Sequence, residues 1–230
     1  MNQNQNAYQQ LKALATKSAA GQVSAMRDEI RDMSINPETA RQAAVLILFG
    51  NREGHSGEQG RLSAPEDCDV LLVERATTLE DHPGQLGFPG GGVEPHDVDV
   101  VAAAIREAVE ETGLDPAGVE ILGQLPQTRL PVSHFMVTPV LAWWAAPSPV
   151  FAVDLAESAR VFRAPVSELL DPDLRKMATV SRGKSTFRSP AFLVQDAVVW
   201  GFTGSILNKL FDELGWTKDW DRRQEMLAPL

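Results

Sequence analysis

Cysteine is almost absent: Cys68 is the single one in 230 residues. That excludes an internal disulfide and any metal site built from several thiolates. A lone thiol fits a reducing, cytoplasmic setting. Long hydrophobic runs are missing as well. The longest, near residues 43–49 and 140–146, fall well short of the roughly 20 apolar residues that span a bilayer. The opening MNQNQNAYQQ has no basic region followed by an apolar stretch, so no signal peptide is expected. Positive charge is scarce too, with 21 Lys and Arg against 31 Asp and Glu and a net charge of −10. Non-specific binding to nucleic acid or to an anionic membrane is therefore not expected. An anionic substrate would need a metal ion or a local basic patch to hold it. Internal repeats and low-complexity tracts are lacking. What remains is a chain 43% hydrophobic and 23% charged, suited to one globular domain that folds without staples.

Residues 84–114 stand out from this background. A glycine-rich turn runs into a predicted helix over about 97–112, with Gly113 as its C-cap. At 100° per residue, Glu107, Glu110 and Glu111 share about 100° of arc. Val98, Val101, Ile105, Ala108 and Val109 share another, which predicts a packed face. Like charges three or four apart cost a helix about 0.2–0.5 kcal/mol per pair. A cation beside them would offset that cost. With no histidine or cysteine in the cluster, a hard ion such as Mg2+ or Mn2+ suits the oxygen donors. Gly90, Gly91 and Gly92 allow backbone to approach the same place, and Arg106 can reach Glu110 one turn on. Such a constellation can neutralise phosphate oxygens and activate water. On these grounds alone, a metal site and a merely solvated acidic face stand about level.

Around this stretch the pattern alternates between strand and helix. Tyr8, Leu11, Leu14, Ala15, Val23, Met26 and Ile30 read as one or two amphipathic N-terminal helices, packed on the domain or on a second subunit. Asn36-Pro37-Glu38 marks a turn or helix start. Strands are predicted at 43–49, 70–74, 85–88, 119–125 and 135–144, with another beginning at Val161. Residues 50–65 read as a loop. A short helix is expected at 164–170, a hairpin at 187–200 turning near Gln195-Asp196, and a final amphipathic helix at 201–214. The order suggests a mixed sheet between helical layers.

The motif REAVEETGL at 106–114, preceded by FPGG at 88–91, resembles the signature box of Nudix hydrolases. The resemblance implies an α/β/α sandwich with a mixed β-sheet, and Mg2+- or Mn2+-dependent cleavage of a nucleoside diphosphate joined to another moiety. It makes Glu107 and Glu111 the principal metal ligands and Glu110 an additional one. Arg106 would orient the glutamates, and the Gly91 carbonyl would be a further ligand. The box departs from the usual spacing by one residue: its upstream glutamate falls on Val98 counting back from Arg106, and on Asp97 counting forward from Gly91. That extra residue points to a branch. Leu71, Leu72, Arg75, Leu79, Gly84, Gln85 and FPGG resemble the added signature of coenzyme A diphosphatases, with VTPV at 137–140 and WGFT at 200–203 as further pieces. Glu74-Arg75-Ala76 stands where that branch often has Thr-x-Arg-Ser, and Glu80 where it commonly has a basic residue.

The resemblance implies hydrolysis of coenzyme A or acyl-CoA to 3′,5′-ADP and a phosphopantetheine. ADP-ribose, a nucleoside triphosphate, or a non-catalytic sensing role are the rival readings. Arg75, Gln85, Gly90 and Gly91 would meet the substrate, and Glu157 would serve as a further ligand or base. His82 and His134 are secondary candidates near the pocket. Arg182, Lys184 and Arg188 form a dense basic patch, read as a solvated hairpin or a phosphate contact. The expected organisation is a helical extension over 1–35, a hydrolase domain over 36–214 and a tail over 215–230, with a homodimer through the N-terminal helices as the expected partner arrangement.

Overall fold

The computed structural model describes residues 5–23, 40–52, 64–79, 82–130, 135–183 and 185–229. The expectations at Met26, Ile30, Asn36–Glu38, Glu80, His134 and Lys184 lie outside these residues, as does most of the 50–65 loop.

The backbone of the fold is β1 (Arg41–Asn51), an apolar run buried on both faces. It pairs in parallel with β7 (Phe135–Trp144) along its whole length, and antiparallel with β2 (Cys68–Arg75) and β4 (Gly90–Gly92). β2 is flanked by β3 (Leu86–Gly87) and β8 (Ser158–Pro165), and β7 by β5 (Val119–Gln124) and β6 (Thr128–Leu130). The result is one mixed, eight-stranded sheet.

Alternation along the strands splits the core in two. Ala44, Leu46 and Leu48 of β1, with Val140, Ala142 and Trp144 of β7, lie under the helix α2 (Val100–Thr112). Ile47, Phe49, Leu141 and Trp143 face the other way, toward α1 (Ala7–Ala19), α3 (Val166–Leu169) and α4 (Gly201–Leu214). The predicted α/β/α sandwich with a mixed sheet is what forms. A strand covered on both sides needs apolar residues at every position, which is why 43–49 reads as a continuous run.

α1 starts at Asn6, whose side chain accepts the Gln9 N–H at 2.9 Å while the Gln9 side chain accepts the Asn6 N–H at 3.3 Å. This reciprocal cap defines the helix start. Ala7, Tyr8, Leu11, Leu14 and Ala15 are buried in the main core. Of the two expected surfaces for this helix, the domain is the one it covers. Cys68 is buried, and burial pushes its thiol up to about 12, which leaves it unreactive at neutral pH.

Two expectations about elements need correction. The helix predicted from Asp97 begins at Val100, because the Asp99 carboxylate accepts the Ala102 N–H at 2.8 Å and caps it there. Val98 therefore precedes the helix and is 90% exposed, not part of the packed face. The glycine turn is also partly a strand. With no side chains to clash, Gly90–Gly92 lie close along Val45, Ala44 and Ala43.

A second, four-stranded sheet was not foreseen. The hairpin is present as β10 (Ser185–Val194) and β11 (Ala197–Val199), with Gln195 at φ +52° in its turn. Its partners β9 (Arg175–Arg182) and β12 (Glu225–Leu227) come from polar stretches. β12, from within the charged tail, pairs in parallel with β9.

α4 lies across β10. A Cβ at Gly204 would fall 2.4 Å from the Pro190 carbonyl oxygen, so helix and strand meet backbone to backbone. Alanine favours a helix by about 1 kcal/mol over glycine, but overpacking costs about 1–3 kcal/mol. Gly204→Ala is expected to lower the unfolding free energy in urea, against its helix propensity. A stabilised variant would mean that α4 does not press on β10 this closely.

Candidate active site

The glutamate-bearing face of α2 meets the loop at its upstream end through a single side chain. Arg106 Nε and Nη2 donate to the two Asp97 carboxylate oxygens at 3.0 and 2.9 Å. Nη2 also donates to the Gly92 carbonyl at 3.0 Å, and Nη1 to Glu107 Oε1 and Glu110 Oε2, each at 3.0 Å. The guanidinium is 18% exposed and the Asp97 side chain 3%. Arg106 holds the Asp97 carboxyl down at about 2, and those acids in turn raise the guanidinium's own pKa. Asp97 also accepts the Glu94 N–H at 2.8 Å, which folds residues 94–97 into a tight turn. The ambiguity between Val98 and Asp97 is resolved by this contact: Asp97 supports the loop and Val98 faces solvent.

Glu107 and Glu111 point toward the glycines. Glu111 Oε2 accepts the Gly90 N–H at 3.0 Å. A Cβ at Gly91 would sit 2.5 Å from the Glu107 carboxyl carbon, so the absent side chain is what lets Glu107 lie against the loop. Burial raises the pKa of both acids. For Glu107 the Arg106 contact works against the rise. For Glu111, burial outweighs the Gly90 hydrogen bond and pushes the carboxyl up to about 7, with the Glu107 charge adding to the rise. Glu110 is different. Its side chain is 58% exposed and turned onto Arg106.

The other predicted residues come from the end of β2 and the loops beside it. Arg75 ends β2, where its N–H donates to the Gln85 carbonyl at 3.0 Å and its carbonyl accepts the Gly84 N–H at 3.2 Å. His82, at φ +56°, sets its Nδ1 3.0 Å from Gln85 Oε1. Glu157 is an exposed loop residue whose carbonyl accepts the Ala76 N–H at 2.8 Å. The charges of Arg75 and Glu157 both act on Glu111, the first lowering and the second raising its pKa. Glu107 and Glu111 thus meet Gly91 and Gly90 directly, Arg75 and Glu157 come near enough for their charges to act on Glu111, and Gln85 is tied to Arg75 through the backbone. Of the basic patch, Arg188 pairs with Glu225 at 2.7 Å in the second sheet.

Glu74 is paired with Arg160, which also reaches Asp196 at 2.8 Å. Asp97 and the Gly92 carbonyl were not among the predicted site residues. The forward count from Gly91 was the signal that led to the first; no sequence signal marks the second.

With this geometry in hand, comparison with known proteins decides the family. The family model of the NUDIX domain matches residues 41–178. The chain belongs to the Nudix hydrolase family. It is 36% identical over 183 residues to an uncharacterized Nudix hydrolase, NudL, of Enterobacter sp. (strain 638), which covers 80% of this chain and 88% of that protein. A NudL protein of Escherichia coli O7:K1 is 33% identical over 183 residues, covering 79% and 88%. A MutT/nudix family protein from Enterococcus faecalis aligns with a TM-score of 0.48 at 16% identity, over 78% of this chain and 64% of that one. The Nudix domain of Shewanella oneidensis NrtR, solved in complex with ADP ribose, gives 0.43 at 20%, over 59% and 80%. Among the described residues of this Nudix hydrolase, no helix is long and apolar enough to cross a membrane.

Gly90 and Gly91 separate fold from catalysis. A Cβ at Gly90 would meet the Ala44 carbonyl oxygen at 2.3 Å, which is rigid sheet backbone; at Gly91 it meets only the end of the Glu107 side chain. Gly90→Ala is expected to lose about 1–3 kcal/mol of stability. Gly91→Ala should unfold within about 1 kcal/mol of wild type yet turn over up to about 100-fold more slowly, because Glu107 is displaced by an ångström or more. Equal losses of stability in the two variants would contradict this reading of the loop.

Proposed function

We propose that this Nudix hydrolase cleaves the diphosphate of a nucleotide-containing small molecule with Mg2+ or Mn2+, and that coenzyme A or an acyl-CoA is the substrate. One observation carries the metal: Glu107 and Glu111 are both pressed against the Gly90–Gly91 loop with their carboxyls raised by burial, and the Glu107 charge adds to the rise at Glu111. Two acids held close together in a confined, oxygen-only setting fit a hard divalent ion. Among the described residues no three acidic, histidine or cysteine side chains are already drawn together as a metal cluster. Arg106 and the Gly90 N–H hold the carboxylates instead. We assign Glu107 and Glu111 as principal ligands, with Glu110 and the Gly91 carbonyl completing the set.

A bound divalent ion would supply charge neutralisation at the diphosphate and a more acidic water. The chain's own residues do the rest. Arg106 aims Glu107 and Glu110. The Gly90 N–H sets the direction of Glu111. Arg75 and Gln85, linked through their backbone, offer a cation and an amide to the substrate phosphates. Glu157 is read as a further ligand or as the base that takes the proton of the attacking water. Water oxygen bonds to one phosphorus as the bridging oxygen leaves with the other. The coenzyme A reading rests on the 71–91 signature. Glu74 does not weigh against it, since Arg160 neutralises that acid. The unit doing this work is taken as 36–214, with α1 and β12 packed onto it from the segments 1–35 and 215–230.

Parallel turnover of coenzyme A and ADP-ribose with Mg2+ or Mn2+ tests the substrate. Coenzyme A is expected to be cleaved to 3′,5′-ADP; inert coenzyme A beside rapid ADP-ribose hydrolysis would replace this substrate with the rival. Glu111→Gln should cut turnover by at least about 100-fold, the upper end of what outer-shell changes cost. Unchanged activity would remove the metal assignment.

The raised Glu111 carboxyl also predicts pH behaviour. Its pKa rises from 4.5 unfolded to about 7 folded, so the folded chain holds the proton longer. The metal-free protein should therefore lose stability as pH climbs from about 4.5 to 7, and no further above that. Binding of Mn2+ requires the ionised form and should be about tenfold tighter at pH 8 than at pH 6, with close to one proton released at pH 6 and almost none at pH 8. Calorimetry in two buffers measures both quantities. The same pH dependence in Glu111→Gln would assign the proton elsewhere.

A further inference from the structure

A cavity of about 170 Å3 lies between the second sheet, α4 and the C-terminal segment, and shares no residue with the site above. Met177, Arg188, Pro190, Asn208, Trp220 and Arg222 line it. Strand register places Arg175 opposite Phe192, Met177 opposite Pro190 and Thr179 opposite Arg188. Directly paired residues, and residues two apart, share a face of a sheet. Arg175 therefore stands on the face that carries the cavity.

Arg175 is 1% exposed. Its guanidinium lies 4.7 Å from the Phe192 ring and 4.5 Å from the Trp220 ring. Nη2 donates to Asn208 Oδ1 at 2.5 Å. Among the described residues, Nε and Nη1 have no hydrogen-bond partner, and neither does the indole N–H of Trp220. The acid that acts on Arg175 is Asp212, which is reached only through Asn208: the Asn208 amide donates to Asp212 at 2.9 Å. Buried donors are nearly always satisfied, and a buried charge needs a counter-charge. Arg175 therefore leaves a buried positive charge, not directly paired with an acid among the described residues, just behind Asn208 and Trp220, two walls of the cavity.

The mouth has the same character. Arg222 stacks 5.6 Å from the Trp220 ring. Arg188 donates to the Arg222 carbonyl at 3.4 Å and pairs with Glu225. Three arginines thus meet two acids, Asp212 and Glu225, in a chain whose net charge is −10. The volume narrows the choice of ligand. It is far more than the roughly 10–15 Å3 that admits a water, and well below the 300–1,000 Å3 typical of drug-sized ligands.

We propose that this cavity binds a phosphate-sized oxyanion, either free or as the terminal phosphomonoester of a larger molecule. Arg188 and Arg222 hold it at the mouth, and the buried charge of Arg175, behind Asn208 and Trp220, favours an anion there. Arginine's fixed fork of donors suits a tetrahedral oxyanion.

The test is thermal unfolding of the full chain in EDTA, which keeps divalent ions from Glu107 and Glu111. Sodium phosphate and AMP are titrated separately against sodium chloride at matched ionic strength. A saturable rise in midpoint is expected with phosphate, with AMP or with both, and not with chloride. A rise with phosphate alone assigns the free ion, and one with AMP alone assigns the phosphomonoester. The rise should persist in Glu111→Gln. Apparent affinity should fall at least about tenfold in Arg188→Ala and in Arg222→Ala, as loss of a charged hydrogen bond predicts. Both side chains are exposed, so these variants spare the core, as changes at Arg175 would not. The proposal is overturned by no saturable rise, by an equal rise in chloride, or by a rise that survives both arginine variants.

Discussion

Three carboxylates and a carbonyl oxygen converge on the guanidinium of Arg106. Without that positive charge, Asp97, Glu107 and Glu110 would repel one another across the join between loop and helix. With it, the turn at 94–97 closes, and Gly92 is tied to α2. Glu107 is then fixed against Gly91, while Glu111, one turn on, finds the Gly90 N–H. Each of these contacts depends on the one before it. A lysine would not serve, since a point charge cannot present five donors in a plane to four acceptors.

The scaffold explains why this join sits where it does. β1 is buried on both faces, and its pairing with β4 brings the glycines to the sheet beneath α2. Ala103, Ala104 and Ala108 of α2 are buried against Ala44, Leu46 and Leu48 of β1 and Val140, Ala142 and Trp144 of β7. A helix packed this way has little freedom to rotate, so its acidic edge keeps a set angle to the loop.

The far side of the molecule is built on another scheme. α4 presses its backbone on β10 through Gly204, and the C-terminal segment adds a parallel strand beside β9. Between them is a guanidinium that no carboxylate touches directly among the described residues. On the α2 face, positive charge answers an excess of acids. On this face, acids are too few for the arginines. The same electrostatic demand, with the sign reversed, singles out each site.

Much of the chemistry was legible in the residues themselves. Periodicity located α4, β7 and the hairpin turn, because burial on one face or two imposes a repeat that composition alone displays. The spacing of Arg106, Glu107, Glu110 and Glu111 put them on a common arc, because helix geometry is local. β4, β9 and β12 were not legible. Three glycines, a polar octet and a piece of charged tail become strands only when a neighbour supplies hydrogen-bonding partners. Nor could spacing choose between Asp97 and Val98; the Arg106 contact made that choice. The sequence by itself determined which acids belong together and on what helix, since i to i+4 relations need no other part of the chain. Tertiary structure alone decided that Glu111 should be buried enough to hold its proton near neutrality and that Arg175 should be left with donors unmet. Desolvation and pairing depend on what distant segments bring to a point.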